Sequence, residues 1–169
     1  MTRLDSSAPH VHDATGLEDL ADWGPQPDAL EGASHSTGRL LWKRPDTGSE
    51  CGIWVCTPGR WRIAVPRDEF CHFVAGRAAY LSDSGERVEV EAGTAVLFPA
   101  GWAGECTVHE TMRNIYLLAE DEPAQREGPM TTTPLMKKPL AQTDLVDWGV
   151  IPTMIEGESR TSGKLIHKG

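Results

Sequence analysis

The segments PGRWRIAVPRDEFCHFVAG (58–76) and GTAVLFPAGWAG (93–104) decide the fold of this chain. Both consist of short runs rich in Val, Ile, Phe and Trp that are bounded by Gly or Pro, a pattern typical of β-strands joined by tight turns. In the first segment Glu69 precedes Gly76 by seven residues, and in the second an apolar run ends in the turn Pro99-Ala-Gly101. These two segments therefore predict consecutive strands of an all-β domain.

The same pattern extends on both sides. Eight strands are predicted over residues 52–57, 61–66, 69–75, 77–82, 87–91, 95–99, 104–109 and 112–119, preceded by an apolar run at 38–43. Asp83-Ser-Gly85 is a predicted hairpin turn, because Gly accepts positive φ. A helical turn is expected over 17–22, ended by Gly24-Pro25. Eight strands with no helix between them predict a closed barrel or jelly roll.

The end of the chain repeats a stretch near its beginning. Residues 145–169 align without a gap on residues 20–44, and eleven of the 25 positions are identical. Self-similarity of this kind marks a structural unit used twice. The predicted organisation is a flexible leader (1–16), a barrel with an N-terminal arm (17–119), a linker (120–142) and a partial second repeat of the arm (143–169). The repeat is expected to be either the stub of a shortened, two-barrel protein or an element that packs on the barrel of a partner subunit. In the second case Trp148 and Leu165 would play the part that Trp23 and Leu40 play in the arm.

Composition narrows the classes of partner. The chain has 169 residues, enough for one domain with a real core, and a net charge of -9. That charge argues against nucleic acid or an anionic membrane as partner. No apolar run is long enough to span a bilayer and no signal peptide is recognisable, so a cytoplasmic protein is expected. The four cysteines lack a CxxC spacing and are expected to be reduced.

The two quoted segments resemble the paired motifs of the cupin superfamily. With Trp54 to Gly59 ahead and Arg113-Asn-Ile-Tyr116 behind, the chain looks like the branch typified by the cupin domain of ureidoglycine aminohydrolase. The resemblance implies a double-stranded β-helix, that is, a jelly-roll barrel. This barrel would carry the irregular N-terminal arm and, after it, the C-terminal repeat of that arm.

The resemblance also implies where a metal would bind. Metal-binding cupins place His-x-His before the glutamate and a third histidine after the Pro-x-Gly turn. Here Arg62 and Ala64 stand at the paired histidine positions and Gly104 at the third, so only Glu69 remains. One carboxylate cannot hold a transition metal against water, and no metal or other cofactor is expected at the usual site.

Strand alternation suggests what replaced the metal. It places Arg62 inside the barrel, facing Glu69 and Cys71 on the neighbouring strand, and predicts an ion pair between Arg62 and Glu69. This pair either fills the interior or recognises an anionic ligand through the guanidinium. Cys106 should also face inward, and the two thiols with Glu69 form either a packed core or a zinc site.

Aromatic side chains complete the candidate pocket. Trp54, Trp61 and Trp102 are expected around the barrel mouth, where one or more could stack on an organic molecule. The candidate ligand-binding residues are therefore Arg62, Glu69, Cys71, Tyr80, Cys106, Trp54, Trp61 and Trp102.

Two functions from different classes remain open. The first is a metal-free cupin that binds a small anionic metabolite and does no chemistry itself. The second is a metal-dependent enzyme resembling ureidoglycine aminohydrolase, which would release ammonia from a ureido compound with a divalent ion such as manganese. The departures at Arg62, Ala64 and Gly104 favour binding over catalysis. A homodimer is expected in either case, since cupin barrels often pair through a sheet.

Overall fold

The computed structural model describes residues 13–119, 135–137, 146–150 and 160–163. All the regular structure in these ranges is β, in agreement with the predicted fold class. No helix in the described part of the chain could cross a membrane. The leader up to residue 12 and most of the predicted linker lie outside the described residues.

Twelve strands are present in the described ranges. They are β1 Ala21–Pro25, β2 Ala29–Glu31, β3 His35–Lys43, β4 Glu50–Cys56, β5 Gly59–Ala64, β6 Glu69–Ser82, β7 Arg87–Glu91, β8 Ala95–Phe98, β9 Ala103–Leu118, β10 Leu135–Lys137, β11 Val146–Val150 and β12 Arg160–Gly163.

Two long strands hold the barrel together. β6 and β9 pair with each other along almost their whole length, and the two halves of each strand lie in different layers of the sheet. The first half of β6 and the second half of β9 lie in a layer with the order β1-β3-β4-β9-β6-β8, followed at its edge by β10. The other halves lie in a layer with the order β2-β5-β9-β6-β7. The sheet therefore curls on itself, and the inward side chains of both layers meet in the interior.

Sequence reasoning divides each of these long strands into two. In β6 the reason is Gly76, which stands at a break in the predicted pattern and lies at a bulge of the strand in the structure. Its φ is +81°, a conformation that favours glycine. A side chain at this position would collide with the backbone of β9 at Thr111 and Met112. Gly76 thus bends the strand and allows β9 to approach, without ending the strand.

The N-terminal arm contains no helix in its described residues: 17–20 have no regular structure and β1 begins at Ala21, so the predicted helical turn over 17–22 is wrong. Ala21 and Asp22 pair with Gly38 and Thr37 of β3, and the strand then bulges before Gly24. The Asp22 carboxylate accepts a hydrogen bond from the Gly24 N–H at 2.8 Å, which stabilises this bulge. Pairing with the edge of β3 overrides the local helical pattern.

The second compact unit, residues 137–169, contains the hairpin β11–β12. Val146 pairs with Gly163 and Asp147 with Ser162, and the register shifts before Gly149. Each of these positions is 125 residues beyond its counterpart in the pair β1–β3, including the position of the bulge. The packing expected of Trp148 and Leu165 falls outside what the structure describes.

Candidate functional site

A cavity of about 580 Å³ lies inside the barrel. This volume falls within the range of about 300–1,000 Å³ that is usual for small-molecule sites. The residues that line it are Trp23, Gln26, Pro27, Asp28, Glu50, Trp54, Trp61, Arg62, Ile63, Ala64, Val65, Glu69, Cys71, Tyr80, Phe98, Asn114, Tyr116 and Leu118. They come from the arm and from both layers, so the site exists only once the barrel has closed.

Strand register arranges the floor of the cavity in rows. One row runs from Glu50 on β4 through Leu118 on β9 to Glu69 on β6. Two rows away, Asn114 on β9 stands beside Trp54 on β4. At 3.3–3.4 Å per residue, the rows of Glu69 and Asn114 are roughly 13 Å apart. The floor therefore has one acidic end and one amide end.

The structure contradicts the predicted ion pair between Arg62 and Glu69. Arg62 is exposed, and its two terminal nitrogens donate to the two carboxylate oxygens of Asp83 at 2.8 and 2.9 Å. The backbone of β5 borders the cavity, but Trp61 and Ile63 are the side chains on its inner face. The alternation of Arg60, Trp61, Arg62 and Ile63 in the sequence carries this signal, because it sets both arginines on the outer face. The cupin resemblance, which sets Arg62 and Ala64 at the paired histidine positions, implied instead that these two side chains face inward.

Because Ile63, and not Arg62 or Ala64, points inward from β5, the residues at the position of the usual cupin metal site differ from those expected. Ile63 and Val65 face inward before Glu69, and neither carries a donor atom. Gly104 lies against the backbone of β6, so any side chain there would collide with Leu81. Among the described residues no group of three His, Cys, Asp or Glu side chains is placed to hold a metal ion. The donor set therefore does not fit the usual cupin metal centre, nor zinc on Glu69 with the two thiols.

Glu69 and Cys71 form the acidic end of the cavity. The Cys71 thiol donates to Glu69 Oε1 at 3.4 Å. Burial raises the pKa of Glu69 above its ordinary value, and the Arg67 guanidinium opposes this to a smaller extent. Burial and the neighbouring Glu69 carboxylate raise the pKa of the Cys71 thiol well above its usual range. Cys71 is thus a protonated thiol at neutral pH and a poor nucleophile.

Tyr80 and Cys106 lie inward, as the sequence predicts. Tyr80 is 4% exposed and lines the cavity, whereas Cys106 is fully buried and is not among the described lining residues. Burial raises the pKa values of both groups far above their usual range, so both stay protonated. The cross-strand partner of Cys106, Trp61, does line the cavity.

Two of the three expected tryptophans border the cavity. Trp54 and Trp61 make an edge-to-face pair with ring centroids 6.3 Å apart, and Trp54 Nε1 donates to Ser36 Oγ at 2.9 Å. Trp102 is 1% exposed and packs on Phe98 with centroids 5.2 Å apart. The prediction that Trp102 lies at the mouth is therefore wrong, since it belongs to the core.

Sequence reasoning missed the amide end of the cavity. Asn114 is 3% exposed, and its Oδ1 has no hydrogen-bond partner among the described residues. The signal was the alternation of Met112, Asn114, Tyr116 and Leu118, which sets one polar side chain among inward apolar ones. An unpaired buried carbonyl costs about 1–3 kcal/mol, so Asn114 is a strong candidate for contact with a ligand.

The arm closes one side of the cavity through two aromatic rings. Trp23 and Tyr116 meet edge to face with centroids 6.5 Å apart. The Trp23 ring lies on Gly38, and the Tyr116 hydroxyl is 2.7 Å from where a Cβ on Gly52 would stand. Burial raises the pKa of Tyr116 to about 12, so its hydroxyl is a neutral donor and acceptor.

Comparison with known proteins agrees with this architecture. Residues 43–116 match the EutQ-like cupin domain. A structure of a protein of unknown function from Pseudomonas syringae, of the DUF861 family, aligns with a TM-score of 0.57 and 18% identity over 63% of this chain. The chain spans only 46% of the length of that protein.

Two EutQ structures are also similar. The Clostridium difficile EutQ protein aligns with a TM-score of 0.48 and 18% identity, over 57% of this chain and 79% of its own. An ethanolamine utilization protein Q from Salmonella typhimurium gives the same TM-score and identity over 59% and 79%. No curated protein sequence matches the chain. The all-β architecture and the match over residues 43–116 are consistent with a cupin-type β-barrel fold for the domain that encloses the cavity.

Proposed function

We propose that this cupin barrel binds a small organic molecule in its cavity, without a metal ion at the usual cupin positions. The cavity volume and the aromatic pair Trp54 and Trp61 support binding. The observation that carries the proposal is Asn114 Oδ1, a buried acceptor beside the cavity with no partner in the described part of the chain. Native proteins rarely leave such a group unpaired unless it meets water or a ligand.

The sequence alone led us to expect an anionic ligand. That expectation depended on a guanidinium inside the barrel, and the Arg62 guanidinium is bound to Asp83 on the outer face. The charge of the ligand therefore depends on the other groups that line the cavity.

A fragment screen on the full chain tests binding. Ligand-observed NMR would identify fragments that bind the wild-type protein, and their dissociation constants would then be compared in two variants. Ile63→Trp places a large ring on the inner face of β5, whereas Arg60→Trp places the same ring on the outer face of that strand, at a residue that does not line the cavity. We expect Ile63→Trp to abolish binding and Arg60→Trp to preserve it. Equal binding by the two variants would refute a site in the cavity.

The enzyme resembling ureidoglycine aminohydrolase has less support. Such an enzyme would need a divalent ion, and Ile63, Val65 and Gly104 cannot supply ligands at the positions where metal-binding cupins have histidine. Metal analysis of the purified protein separates the two functions, because near-stoichiometric manganese, zinc or iron would favour the enzyme.

We also propose that residues 143–169 repeat the N-terminal arm as a structural unit. The equal register and equal bulge of β11–β12 and β1–β3 support this repeat. Backbone NOEs between Val146 and Gly163 in the full chain would test it. The homodimer stays a prediction, which sedimentation equilibrium of the full chain would check.

A further inference from the structure

The cavity floor offers hydrogen-bond acceptors at both ends. At the amide end, Asn114 Oδ1 lacks a partner among the described residues. At the acidic end, the hydrogen bond that Glu69 receives is from the Cys71 thiol, which is a weak donor. A ligand that carries N–H groups would complete the hydrogen bonding at either end. A carboxylate ligand brings only acceptor oxygens, so it would leave the oxygens of Asn114 and Glu69 without a donor.

Charge in the cavity favours the same chemistry. The lining contains the carboxyl groups of Glu69, Glu50 and Asp28. Glu50 is paired with Lys43 at 2.7 Å, and the Arg62 guanidinium is held by Asp83 on the outer face.

One more cation lies close to the acidic end. Arg67 acts on Glu69 electrostatically, and its Nη1 is hydrogen-bonded to the carbonyl oxygens of Gly48 and Ala119 at 2.8 and 3.3 Å. An anion in the cavity would therefore meet carboxyl groups in the lining, while the nearby guanidinium is already engaged with backbone oxygens.

The aromatic wall is compatible with a cationic or amide group. Trp54 and Trp61 present indole surface to the cavity. Indole faces attract ammonium groups, and their apolar area also packs against a flat hydrocarbon ring.

We infer that the ligand is a small molecule with an apolar body whose polar group is an N–H donor, either an ammonium or a carboxamide, and that Asn114 selects it. This inference rests on the proposed function. It names the chemical class that the cavity accepts and the residue that recognises it.

Three probes of nearly equal size test the inference at pH 7.5: benzylamine, benzamide and benzoate. We expect the wild-type protein to bind benzylamine and benzamide at least about tenfold more tightly than benzoate, because one hydrogen bond to an unpaired acceptor is worth roughly one decade in affinity. Asn114→Leu should remove most of this preference, while Arg60→Ala, at a residue of β5 that does not line the cavity, should leave all three dissociation constants unchanged.

The outcomes separate the inference from the function beneath it. Benzoate binding as tightly as the other two probes, or fragments that bind the cavity without preference for N–H groups, would overturn the inference and leave the proposed function standing. Failure of every fragment and every probe to bind would overturn both.

Discussion

Replacing Asn114 by leucine should stabilise the protein and, at the same time, weaken the binding of N–H ligands by roughly one decade in affinity. The carbonyl oxygen of this buried side chain has no partner among the described residues, which costs about 1–3 kcal/mol. Leucine removes that cost, and its extra volume can enter the adjoining cavity. For a domain of about 100 residues, 1 kcal/mol corresponds to roughly 4 °C or more in Tm. The expected rise in Tm is therefore at least about 4 °C.

Calorimetry and urea unfolding would measure the change, with binding followed on the same samples. Ser34→Ala is the matched control, because Ser34 is 3% exposed and its Oγ also lacks a partner in the described ranges, but it does not line the cavity. We expect Ser34→Ala to be stabilising without any effect on fragment binding.

Two results would refute the reasoning. If Asn114→Leu lowers Tm, the Asn114 amide has a structural partner and is not held for a ligand. If the variant is stabilised but binds fragments as the wild type does, the amide makes no contact with the ligand.

Three further variants probe other parts of the barrel. Arg62→Ala should change the free energy of unfolding little, because its pair with Asp83 is exposed, and a large loss measured by urea unfolding would contradict this. Burial raises the pKa of Glu69 in the folded protein, so the folded state holds that proton more tightly than the unfolded state; stability from this source is present at low pH and is lost as pH rises through the folded pKa. In Glu69→Gln the free energy of unfolding should fall less as the pH rises, so the variant should be more stable than the wild type at pH 8. If the stability of the two proteins changes with pH in the same way, Glu69 does not cause the loss of stability. Gly76→Ala should lower the free energy of unfolding by roughly 2–5 kcal/mol, since it combines a left-handed φ with collision against β9. Gly85→Ala is the control: its φ is +89° but the space around it is open, so it should cost only about 1 kcal/mol. Equal losses in the two variants would show that the close approach of β9 to Gly76 does not affect stability.

Much of the barrel follows from local sequence pattern. The hairpin turn at Asp83-Ser-Gly85 and the strand that follows it are as predicted, because positive φ at Gly85 and alternating burial along β7 both leave clear signals. Glycine is a weaker guide where it bends a strand without ending it. The sequence pattern predicts a break between two strands at Gly76, and only the approach of β9 reveals that this residue lies at a bulge.

The candidate site was less predictable than the fold. Glu69, Cys71, Tyr80, Trp54 and Trp61 line the cavity as expected, because strand alternation fixes their faces. Which residues of β5 face the cavity could not be inferred from the cupin resemblance, because the turn between β5 and Glu69 can differ in length by one residue. The importance of Asn114 was not visible either, because an unpaired atom is defined by what surrounds it in space.

The glycines beneath Trp23 and Tyr116 have a consequence for engineering. Since atoms of Trp23 and Tyr116 lie where a Cβ on Gly38 or Gly52 would stand, no side chain beneath the two rings can be trimmed to enlarge this side of the cavity. More room on this side can come only from smaller rings, and substitution of either glycine would displace the ring above it.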